Sequence, residues 1–214
     1  MKITILCSDA NHPINTHLIQ WRDANRHNHE INICRTKADL TRGDILFLIS
    51  CTQIITKSDR ERYSVALVIH ASDLPRGRGW SPHIWQILEG SKEVTCSLLE
   101  AEDKVDSGRI WKKVYFDVPP TALWDEINAR LFAAELTLMD FAVMNFHTIQ
   151  PKPQPIDIVP SYYPRRTPDD SMLNVDMSIR SQFDRIRVCD PDRFPAFFDH
   201  LGCRYILKLE KADD

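Results

Sequence analysis

Short apolar runs alternate with longer amphipathic segments over the first two thirds of the chain. The short runs are rich in β-branched residues, which is typical of strands, and apolar positions in the longer segments recur at the helical period. The predicted strands are Lys2–Cys7, Glu30–Arg35, Asp44–Ser50, Val65–His70, Glu93–Leu99 and Arg109–Phe116. The predicted helices are Ile14–Arg26, Ser58–Tyr63, Ser81–Glu89 and Thr121–Phe146. This alternation predicts an α/β fold with a mostly parallel sheet and helices on both faces.

Two of the predicted strands, Asp44–Ser50 and Val65–His70, are almost uninterrupted apolar runs, as expected for strands that are covered on both faces. The arrangement is Rossmann-like, and in such sheets ligands bind beyond the carboxyl ends of the strands, where the strand order reverses. We therefore expect a binding site to be built from Cys7–Asn15, Ser50–Ile54 and His70–Gly79.

The composition changes after the long predicted helix. Gln150–Pro160 contains four prolines, which is typical of a stiff, extended connector. Beyond it, Ser178–Arg187 is predicted as a short helix and Phe194–Leu209 as a β-hairpin. The apolar hairpin either covers the core or pairs with a second copy of the chain in a homodimer. The expected units are a core over residues 1–149, the connector over 150–160 and a small C-terminal α+β subdomain over 161–214.

Composition and charge exclude several classes of protein. The 214 residues include 27 Lys and Arg against 30 Asp and Glu, and the net charge of −3 argues against a general nucleic-acid binder. No apolar run is long enough to span a bilayer, and Met1–Leu6 is too short for a secretory signal, so we expect a cytoplasmic protein. The six cysteines form no CxxC pair and are expected to be buried thiols of a reducing compartment. No metal site is expected, because His27/His29 and His200/Cys203 lack a second pair.

The first candidate chemistry is a histidine and an aspartate at two strand–loop junctions. His70 ends a predicted buried strand, and Asp106 lies in an acidic, glycine-containing turn between two later strands. Side chains at such junctions of one sheet can meet over its edge, where a carboxylate orients an imidazole and fixes its tautomer. Such a pair could move protons while a carbonyl is attacked. On spacing alone, a histidine at a strand end is more often a hydrogen-bonded structural residue.

The longer stretch around this pair is more specific. His70–Pro75 reads HASDLP, Arg78–Pro82 reads RGWSP and Val105–Gly108 reads VDSG. In this order and spacing the three segments resemble the folate-dependent formyltransferase family, which includes the methionyl-tRNA, glycinamide ribonucleotide and sugar N-formyltransferases. The similarity extends over about residues 1–118 in the order of the predicted elements. The resemblance implies an enzyme that transfers a formyl group to an amine.

The resemblance also implies roles for individual residues. His70 matches the catalytic histidine, which stabilises the oxyanion, and Asp106 matches the aspartate that orients the histidine and helps to move the proton. The family has an asparagine two residues before the histidine, whose amide donates to the oxyanion, but this chain has Val68 there. Loss of one such donor typically costs about 2.7–4 kcal/mol of transition-state stabilisation. Asn11 and Asn15 are the nearest substitutes, unless they serve as a turn residue and a helix-start residue.

The implied formyl donor is N10-formyltetrahydrofolate, and no metal is implied. In the family, the pterin ring is held largely by main-chain groups of two loops, which correspond here to residues 51–54 and 102–105. Ile54 and Val105 are expected to form the apolar walls of the slot, and the alternative is that both are ordinary core residues. The candidate folate-binding residues are Cys51, Thr52, Gln53, Ile54, Lys104 and Val105.

The segment after the connector points to the acceptor. Residues 161–170 read SYYPRRTPDD, which is similar to the segment that follows the catalytic core of sugar N-formyltransferases. Tyr163 and Arg165 could stack on a base or contact a diphosphate, and Arg78, near the start of a helix, could receive a phosphate. The alternative is a loop that packs its own aromatic rings and leaves its arginines in solvent. The candidate acceptor-binding residues are Asn11, Asn15, Arg78, Tyr163 and Arg165.

The resemblance is strongest to the branch found in pseudaminic- and legionaminic-type sugar synthesis. It implies a UDP-linked 4-amino-4,6-dideoxy-N-acetylhexosamine as acceptor, with a dTDP-linked amino sugar as the nearest alternative. Methionyl-tRNA is less favoured because no basic C-terminal domain is present, and glycinamide ribonucleotide because the purine-pathway enzyme usually lacks a segment rich in Tyr, Arg and Pro. Val68 leaves a further alternative, a folate- or nucleotide-binding protein that has lost catalysis. We expect a small nucleotide sugar, and neither nucleic acid nor a membrane, as the partner.

Overall fold

In the computed structural model, which describes residues 1–212, the chain forms ten strands and five α-helices. In chain order the strands are β1 (Lys2–Leu6), β2 (Glu30–Cys34), β3 (Gly43–Leu48), β4 (Tyr63–His70), β5 (Arg78–Gly79), β6 (Glu93–Glu100), β7 (Ile110–Asp117), β8 (Tyr162–Tyr163), β9 (Ala196–His200) and β10 (Cys203–Leu207). The helices are α1 (Ile14–Asn25), α2 (Lys57–Arg60), α3 (Pro82–Leu88), α4 (Trp124–Asn145) and α5 (Ile179–Arg187). Two 3-10 helices cover Lys37–Asp39 and Pro168–Ser171.

Six strands form the central sheet in the order β2-β1-β3-β4-β6-β7. β1 pairs in parallel with β2 and β3, and β3 pairs in parallel with β4, whereas β6 is antiparallel to both of its neighbours. The predicted Rossmann-like α/β fold with a mostly parallel sheet is therefore confirmed. The strand order reverses beside β1, so the loops that follow β1, β3 and β4 meet at one edge of the sheet.

The two faces of the sheet are covered unequally. One face carries the main core, where Ile5, Phe47 and Leu67 pack in one cluster with residues of α1, α3 and α4. The other face carries a smaller cluster of Leu6, Leu40, Leu46, Leu48, Tyr63 and Ala66, to which none of the long helices contributes. On this side, the connections between parallel strands contain only single helical turns. Residues 35–42 include one large apolar side chain, which is too few to form the apolar face of a longer helix. Tyr63, predicted as the end of a helix, is instead the first residue of β4.

The longest helix places a carboxylate in the main core. Glu135 of α4 is 9% exposed, and its Oε2 has no hydrogen-bond partner among residues 1–212. Burial raises the pKa of Glu135 to about 8. Near neutral pH the folded protein therefore holds this side chain mainly as the uncharged acid.

We expect Glu135→Gln to stabilise the protein, and the gain to grow with pH. The folded-state pKa of about 8 exceeds the ordinary value of 4.5, so the wild type binds an extra proton when folded and loses stability as the pH rises between these values. The loss at pH 7 is on the order of 3 kcal/mol, and a neutral amide avoids it. Urea unfolding at about pH 5, 7 and 8.5 measures the difference. Glu93→Gln, at an exposed position, is the control, and an equal gain for Glu135→Gln at every pH would contradict the prediction.

Beyond α4 the chain first returns to the core. Lys152 of the connector exchanges two backbone hydrogen bonds with Ile110 at the start of β7, at 2.7 and 2.9 Å. The next segment forms β8, which pairs in parallel with β5. Neither two-residue strand was predicted, because so short an element has no periodic pattern. This pairing draws the segment after the connector against the loop that follows β4.

The predicted hairpin is present as β9 and β10. Together with α5 it encloses a small cluster of Leu173, Ile186, Cys189 and Ala196. Arg187 of α5 attaches this appendage to the core, since its Nη1 donates to the carbonyl oxygens of Pro119 and Ala122, both at 3.1 Å. The appendage is thus a small α+β unit with its own apolar centre.

The hairpin carries exposed apolar side chains. Tyr205 and Ile206 of β10 are 46% and 54% exposed, and the pairing of the hairpin with a second copy stays a prediction. The domain boundaries also stay predictions, and the last two residues of the 161–214 unit lie outside the described residues. Within residues 1–212, none of the helices combines the length and apolar character that a membrane crossing requires.

Candidate active site

The structure brings together the two residues that the sequence predicts for catalysis. His70 is the last residue of β4, and Asp106 lies in the turn between β6 and β7. Nδ1 of His70 lies 3.5 Å from Oδ1 of Asp106, and the two side chains are 8% and 7% exposed. This distance is longer than a good hydrogen bond, and it leaves no room for another heavy atom between the two groups. A reacting group or a water molecule beside the pair could contact both Nδ1 and Oδ1.

The backbone that follows β4 holds both side chains. Nε2 of His70 lies 2.8 Å from the carbonyl oxygen of Gly77, and the N–H of Gly79 donates to Oδ2 of Asp106 at 2.9 Å. A carbonyl only accepts, so Nε2 carries a proton and Nδ1 is the nitrogen that faces the carboxylate. Gly79 has a φ of +100°, and a Cβ there would lie 2.4 Å from the carbonyl oxygen of Tyr163. The close crossing of β5 and β8 therefore requires glycine.

The position of the family asparagine is apolar. Val68 lies two residues before His70, so both side chains are on the same face of β4. Val68 packs in the smaller cluster together with Cys51, Ile55 and Ala101. None of these three residues carries a side-chain amide or hydroxyl.

Asn15 does not supply the missing donor. Its amide nitrogen lies 2.8 to 3.0 Å from the carbonyl oxygens of Asp9, Ala10 and His12, and its Oδ1 accepts from Arg35. Asn15 therefore fixes the loop between β1 and α1, as a helix-start residue. Asn11 is exposed, and its backbone N–H donates to Oδ1 of Asp9 at 2.9 Å, as expected of a turn residue.

The two loops predicted to hold the pterin end in exposed apolar side chains. Ile54 is 83% exposed and Val105 is 67% exposed, so neither is an ordinary core residue. Large apolar side chains at two loop tips fit the walls of a slot for a flat ring, whose polar edge would meet main-chain groups.

Neighbouring segments fix the first of these loops. The N–H of Thr52 donates to the hydroxyl of Ser8 at 2.9 Å. The amide of Gln53 donates to the carbonyl oxygen of Arg35 at 2.8 Å and accepts from the N–H of Lys37 at 2.9 Å. The thiol of Cys51 makes a weak contact of 3.7 Å with the carbonyl oxygen of Gln53. The loop after β3 is thereby anchored to the loops after β1 and β2.

Arg60 joins the two loops to each other. Its Nη1 donates to the carbonyl oxygen of Ile55 at 2.9 Å, and its Nη2 donates to Oδ1 of Asp103 at 2.5 Å. The second loop is closed by the hydroxyl of Ser107, which donates to the carbonyl oxygen of Lys104 at 2.7 Å. Sequence reasoning missed Arg60, because a single arginine in a polar helical turn carries no distinguishing pattern.

Arg78 is not at the phosphate position that the sequence predicts. Its side chain is 5% exposed, and its two Nη groups donate to Oε1 of Gln154 at 2.6 Å and to the hydroxyl of Tyr162 at 3.2 Å. The guanidinium therefore points to the connector rather than to the start of α3. It lines a groove of about 450 Å³ between the connector and the Asp106 turn, and neither His70 nor Asp106 lines this groove.

Tyr163 and Arg165, the other predicted acceptor residues, pack on the segment around α3. The hydroxyl of Tyr163 donates to Oε2 of Glu89 at 2.6 Å, and burial together with this carboxylate raises the pKa of Tyr163 to about 12. Its ring stacks on Trp85 with the centroids 6.2 Å apart. The guanidinium of Arg165 lies 4.9 Å from the centre of the Trp80 ring and is exposed. Tyr163 is thus engaged within the protein, whereas Arg165 and Trp80 form an exposed pair.

Two further histidines lie close to each other, and one of them, His83, is also near His70. No pattern in the sequence selects either residue. The pKa of His83, in the first turn of α3, is lowered to about 4 by burial and by the nearby charges of His12, Arg166 and His70. The pKa of His12 is also lowered to about 4, by burial and then by Arg193. Both rings are therefore neutral at pH 7. We call His12, His83, Arg166 and Arg193 the imidazole–arginine cluster.

The imidazole–arginine cluster has polar atoms available for a ligand. Nδ1 of His12 lies 3.3 Å from the N–H of Ile14 and accepts from it, which leaves the proton on Nε2. Nε of Arg166 is buried without a hydrogen-bond partner among residues 1–212. Arg193 pairs with Asp9, and so ties the C-terminal appendage to the loop after β1. In the described part of the chain, no three His, Cys, Asp or Glu side chains are grouped to hold a metal ion.

Known proteins share both the sequence pattern and the fold. The sequence model of the formyl transferase family matches residues 1–143, more than half of the chain. Methionyl-tRNA formyltransferase of Rickettsia bellii is 30% identical over 151 residues, which cover 70% of this chain and 49% of that protein. The chain spans about half the length of the curated relatives it matches.

Three solved structures illustrate the likeness in fold. Methionyl-tRNA formyltransferase from Clostridium thermocellum has a TM-score of 0.81 at 23% identity, over 95% of this chain and 90% of that chain. HypX from Aquifex aeolicus in complex with tetrahydrofolic acid has a TM-score of 0.80 at 19% identity, over 97% and 37%. A likely sugar N-formyltransferase from Mycobacterium tuberculosis has a TM-score of 0.74 at 17% identity, over 100% and 98%. The fold, the His70–Asp106 pair and the match over residues 1–143 lead to one conclusion: the chain belongs to the formyl transferase family.

Proposed function

We propose that this protein transfers a formyl group from a folate to an amine. The observation that carries the proposal is the His70–Asp106 pair, whose Nδ1 and Oδ1 atoms lie 3.5 Å apart and so could contact one reacting group beside them. The exposed side chains of Ile54 and Val105 fit the walls of a pterin slot. A solved structure of the same fold holds tetrahydrofolic acid, which supports a folate as the co-substrate. We take N10-formyltetrahydrofolate as the donor.

We assign a role to each ring nitrogen of His70. N10-formyltetrahydrofolate supplies the formyl carbon, which a neutral amine of the acceptor attacks. Because Nε2 is bonded to Gly77, Nδ1 takes the proton that the amine loses as the new C–N bond forms, and delivers it to the departing folate nitrogen. The Asp106 carboxylate stabilises the imidazolium between these two transfers. The protonated ring also donates toward the negative charge that develops on the formyl oxygen.

We further propose a nucleotide-linked amino sugar as the acceptor, and a UDP-linked 4-amino-4,6-dideoxy-N-acetylhexosamine as the first choice. The imidazole–arginine cluster, which approaches His70 through His83, combines neutral donors with guanidinium groups, and this combination suits sugar hydroxyls and a diphosphate. The exposed Trp80 ring, at 41% exposure, offers a surface for a base beside Arg165. The similarity of residues 161–170 to the sugar-modifying branch supports the same choice.

A mass-spectrometric acceptor screen tests this function. The protein is incubated with N10-formyltetrahydrofolate and a panel of UDP- and dTDP-linked amino sugars, with glycinamide ribonucleotide and methionyl-tRNA as competing acceptors. We expect one nucleotide sugar to gain the mass of a CO group, and the gain to require the folate. Product with methionyl-tRNA or glycinamide ribonucleotide alone would overturn the sugar assignment.

Val68 favours a second candidate, a folate-binding protein that has lost catalysis. The valine side chain at the family asparagine position cannot donate a hydrogen bond, and it packs against an apolar cluster. Calorimetric titration with a folate separates this candidate from the first, because it predicts binding of the folate without product from any acceptor in the panel.

A further inference from the structure

We propose that Gln154, in the proline-rich connector, is a positioning residue that sets the geometry of Asp106. The proposal rests on the formyl-transfer function proposed above. It goes beyond that function by assigning a role in catalysis to the segment that follows the core helix α4. Gln154 contacts neither His70 nor the Asp106 carboxylate, so its effect is exerted through the backbone of the turn.

The amide of Gln154 bridges two parts of the site. Its Nε2 donates to the carbonyl oxygens of Asp106 and Gly108, at 2.9 and 3.0 Å. Its Oε1 accepts from Nη2 of Arg78 at 2.6 Å. The opposite orientation of the amide would place its NH₂ group against the guanidinium and its oxygen against two carbonyls. The three partners therefore determine the orientation.

The turn that Gln154 holds has an unusual backbone. Asp106 has a φ of +53°, in the left-handed region that residues with a Cβ seldom occupy. Two residues later the turn passes so close to β6 that a Cβ on Gly108 would lie 1.9 Å from the carbonyl oxygen of Glu100. Such a conformation persists only where its surroundings determine it, and the two hydrogen bonds from Gln154 satisfy carbonyls that the tight turn directs away from the sheet.

Arg78 determines where Gln154 lies. Its guanidinium is buried, and its hydrogen-bond partners among the described residues are the neutral groups of Gln154 and Tyr162. A charge-assisted bond of 2.6 Å to a buried amide is among the stronger hydrogen bonds in proteins. The residue after Arg78 is Gly79, whose N–H holds the Asp106 carboxylate. β5 therefore positions Asp106 in two ways. Gly79 binds the carboxylate directly, and Arg78 holds Gln154, which binds the backbone of the turn.

The test compares two glutamines of the same connector. Gln154→Leu keeps the volume and removes all three hydrogen bonds, whereas Gln150→Leu changes an exposed glutamine. We expect Gln154→Leu to lower kcat for formyl transfer by roughly 10- to 100-fold with KM values changed less than about twofold, and Gln150→Leu to leave both unchanged. Gln154→Glu is a second variant, which keeps an acceptor for Arg78 but lacks the N–H groups, and the same loss of kcat is expected.

A double-mutant cycle with Asp106→Asn separates positioning from general stability. If Gln154 acts through Asp106, Gln154→Leu causes no further loss from the residual kcat of Asp106→Asn, although it still lowers the melting temperature. Equal kcat losses in both backgrounds would overturn the proposal. So would wild-type kcat in Gln154→Leu.

Hydrogen exchange tests the structural part without catalysis. We expect faster exchange of the amides of residues 103–109 in Gln154→Leu, with the amides of β4 unchanged. Unchanged exchange in this turn would overturn the proposal even if kcat falls. A wild type that transfers no formyl group to any acceptor would instead count against the proposed function, and the exchange measurement would still decide whether Gln154 holds the turn.

Discussion

His70→Ala is expected to lower kcat/KM for formyl transfer by roughly 10²- to 10⁴-fold, the range for loss of a general acid–base group. The alanine removes the nitrogen that faces the reacting position, and also the Nε2 contact with Gly77 at 2.8 Å. Asp106→Asn is expected to fall within the same range, because the amide keeps the shape and can still accept from the N–H of Gly79 but loses the charge that stabilises the imidazolium.

Initial rates with saturating folate and a varied acceptor measure both effects. His147→Ala and Asp73→Asn are matched controls, since His147 is exposed on the chain after α4 and Asp73 pairs with Lys113 rather than with His70. Both controls should retain wild-type rates. Wild-type turnover in His70→Ala or Asp106→Asn would show that the assigned roles are wrong, provided that circular dichroism shows the variant to be folded.

The sequence predicted the sheet and this pair for different physical reasons. Apolar periodicity over five or more residues is strong enough to locate β1, β3 and β4, and the rule for parallel sheets then places their following loops at one edge. The pair was found because the segments HASDLP and VDSG keep the spacing of a known family. Both signals can be found in the sequence alone, because neither requires knowledge of where a long side chain lies in the folded protein.

The residues that the sequence missed depend on contacts between remote segments. Gln154 reaches the Asp106 turn because Lys152, two residues earlier, exchanges two backbone hydrogen bonds with Ile110. An isolated pairing of this kind has no periodic pattern that the sequence could reveal. His83 lies near His70 because α3 packs beside the carboxyl end of β4, although nothing in its helix marks it. Arg78 was assigned to a phosphate for its proximity to a helix start, but its side chain turns toward the connector, where a buried amide accepts from it.

Val68 is the point where the family pattern and this chain disagree. Its side chain shares a face of β4 with His70 and packs against the smaller apolar cluster. The side-chain amide of Asn15, which the sequence offers as a substitute donor, is already hydrogen-bonded to carbonyl oxygens of the loop after β1. Neither Val68 nor Asn15 therefore supplies the side-chain donor that the family pattern implies.

We expect Val68→Asn to raise kcat by up to about 100-fold, because one well-placed donor to an oxyanion is worth about 2.7–4 kcal/mol and part of this is offset by the apolar surroundings. The variant should also lower the free energy of unfolding by roughly 1–3 kcal/mol, since the polar amide replaces a partly buried valine that packs against an apolar cluster. Single-turnover rates and urea unfolding measure the two effects.

Val68→Asp is the matched control for this gain, because the carboxylate has nearly the shape of the amide but no N–H to donate. Val68→Asp should lower the free energy of unfolding, as Val68→Asn does, but should not raise kcat. A folded Val68→Asn variant that binds folate and transfers the formyl group no faster than the wild type would contradict the prediction. It would mean that another donor, such as a backbone N–H of the loops after β1 or β3, already serves the oxyanion, and that a valine at position 68 is compatible with full catalysis.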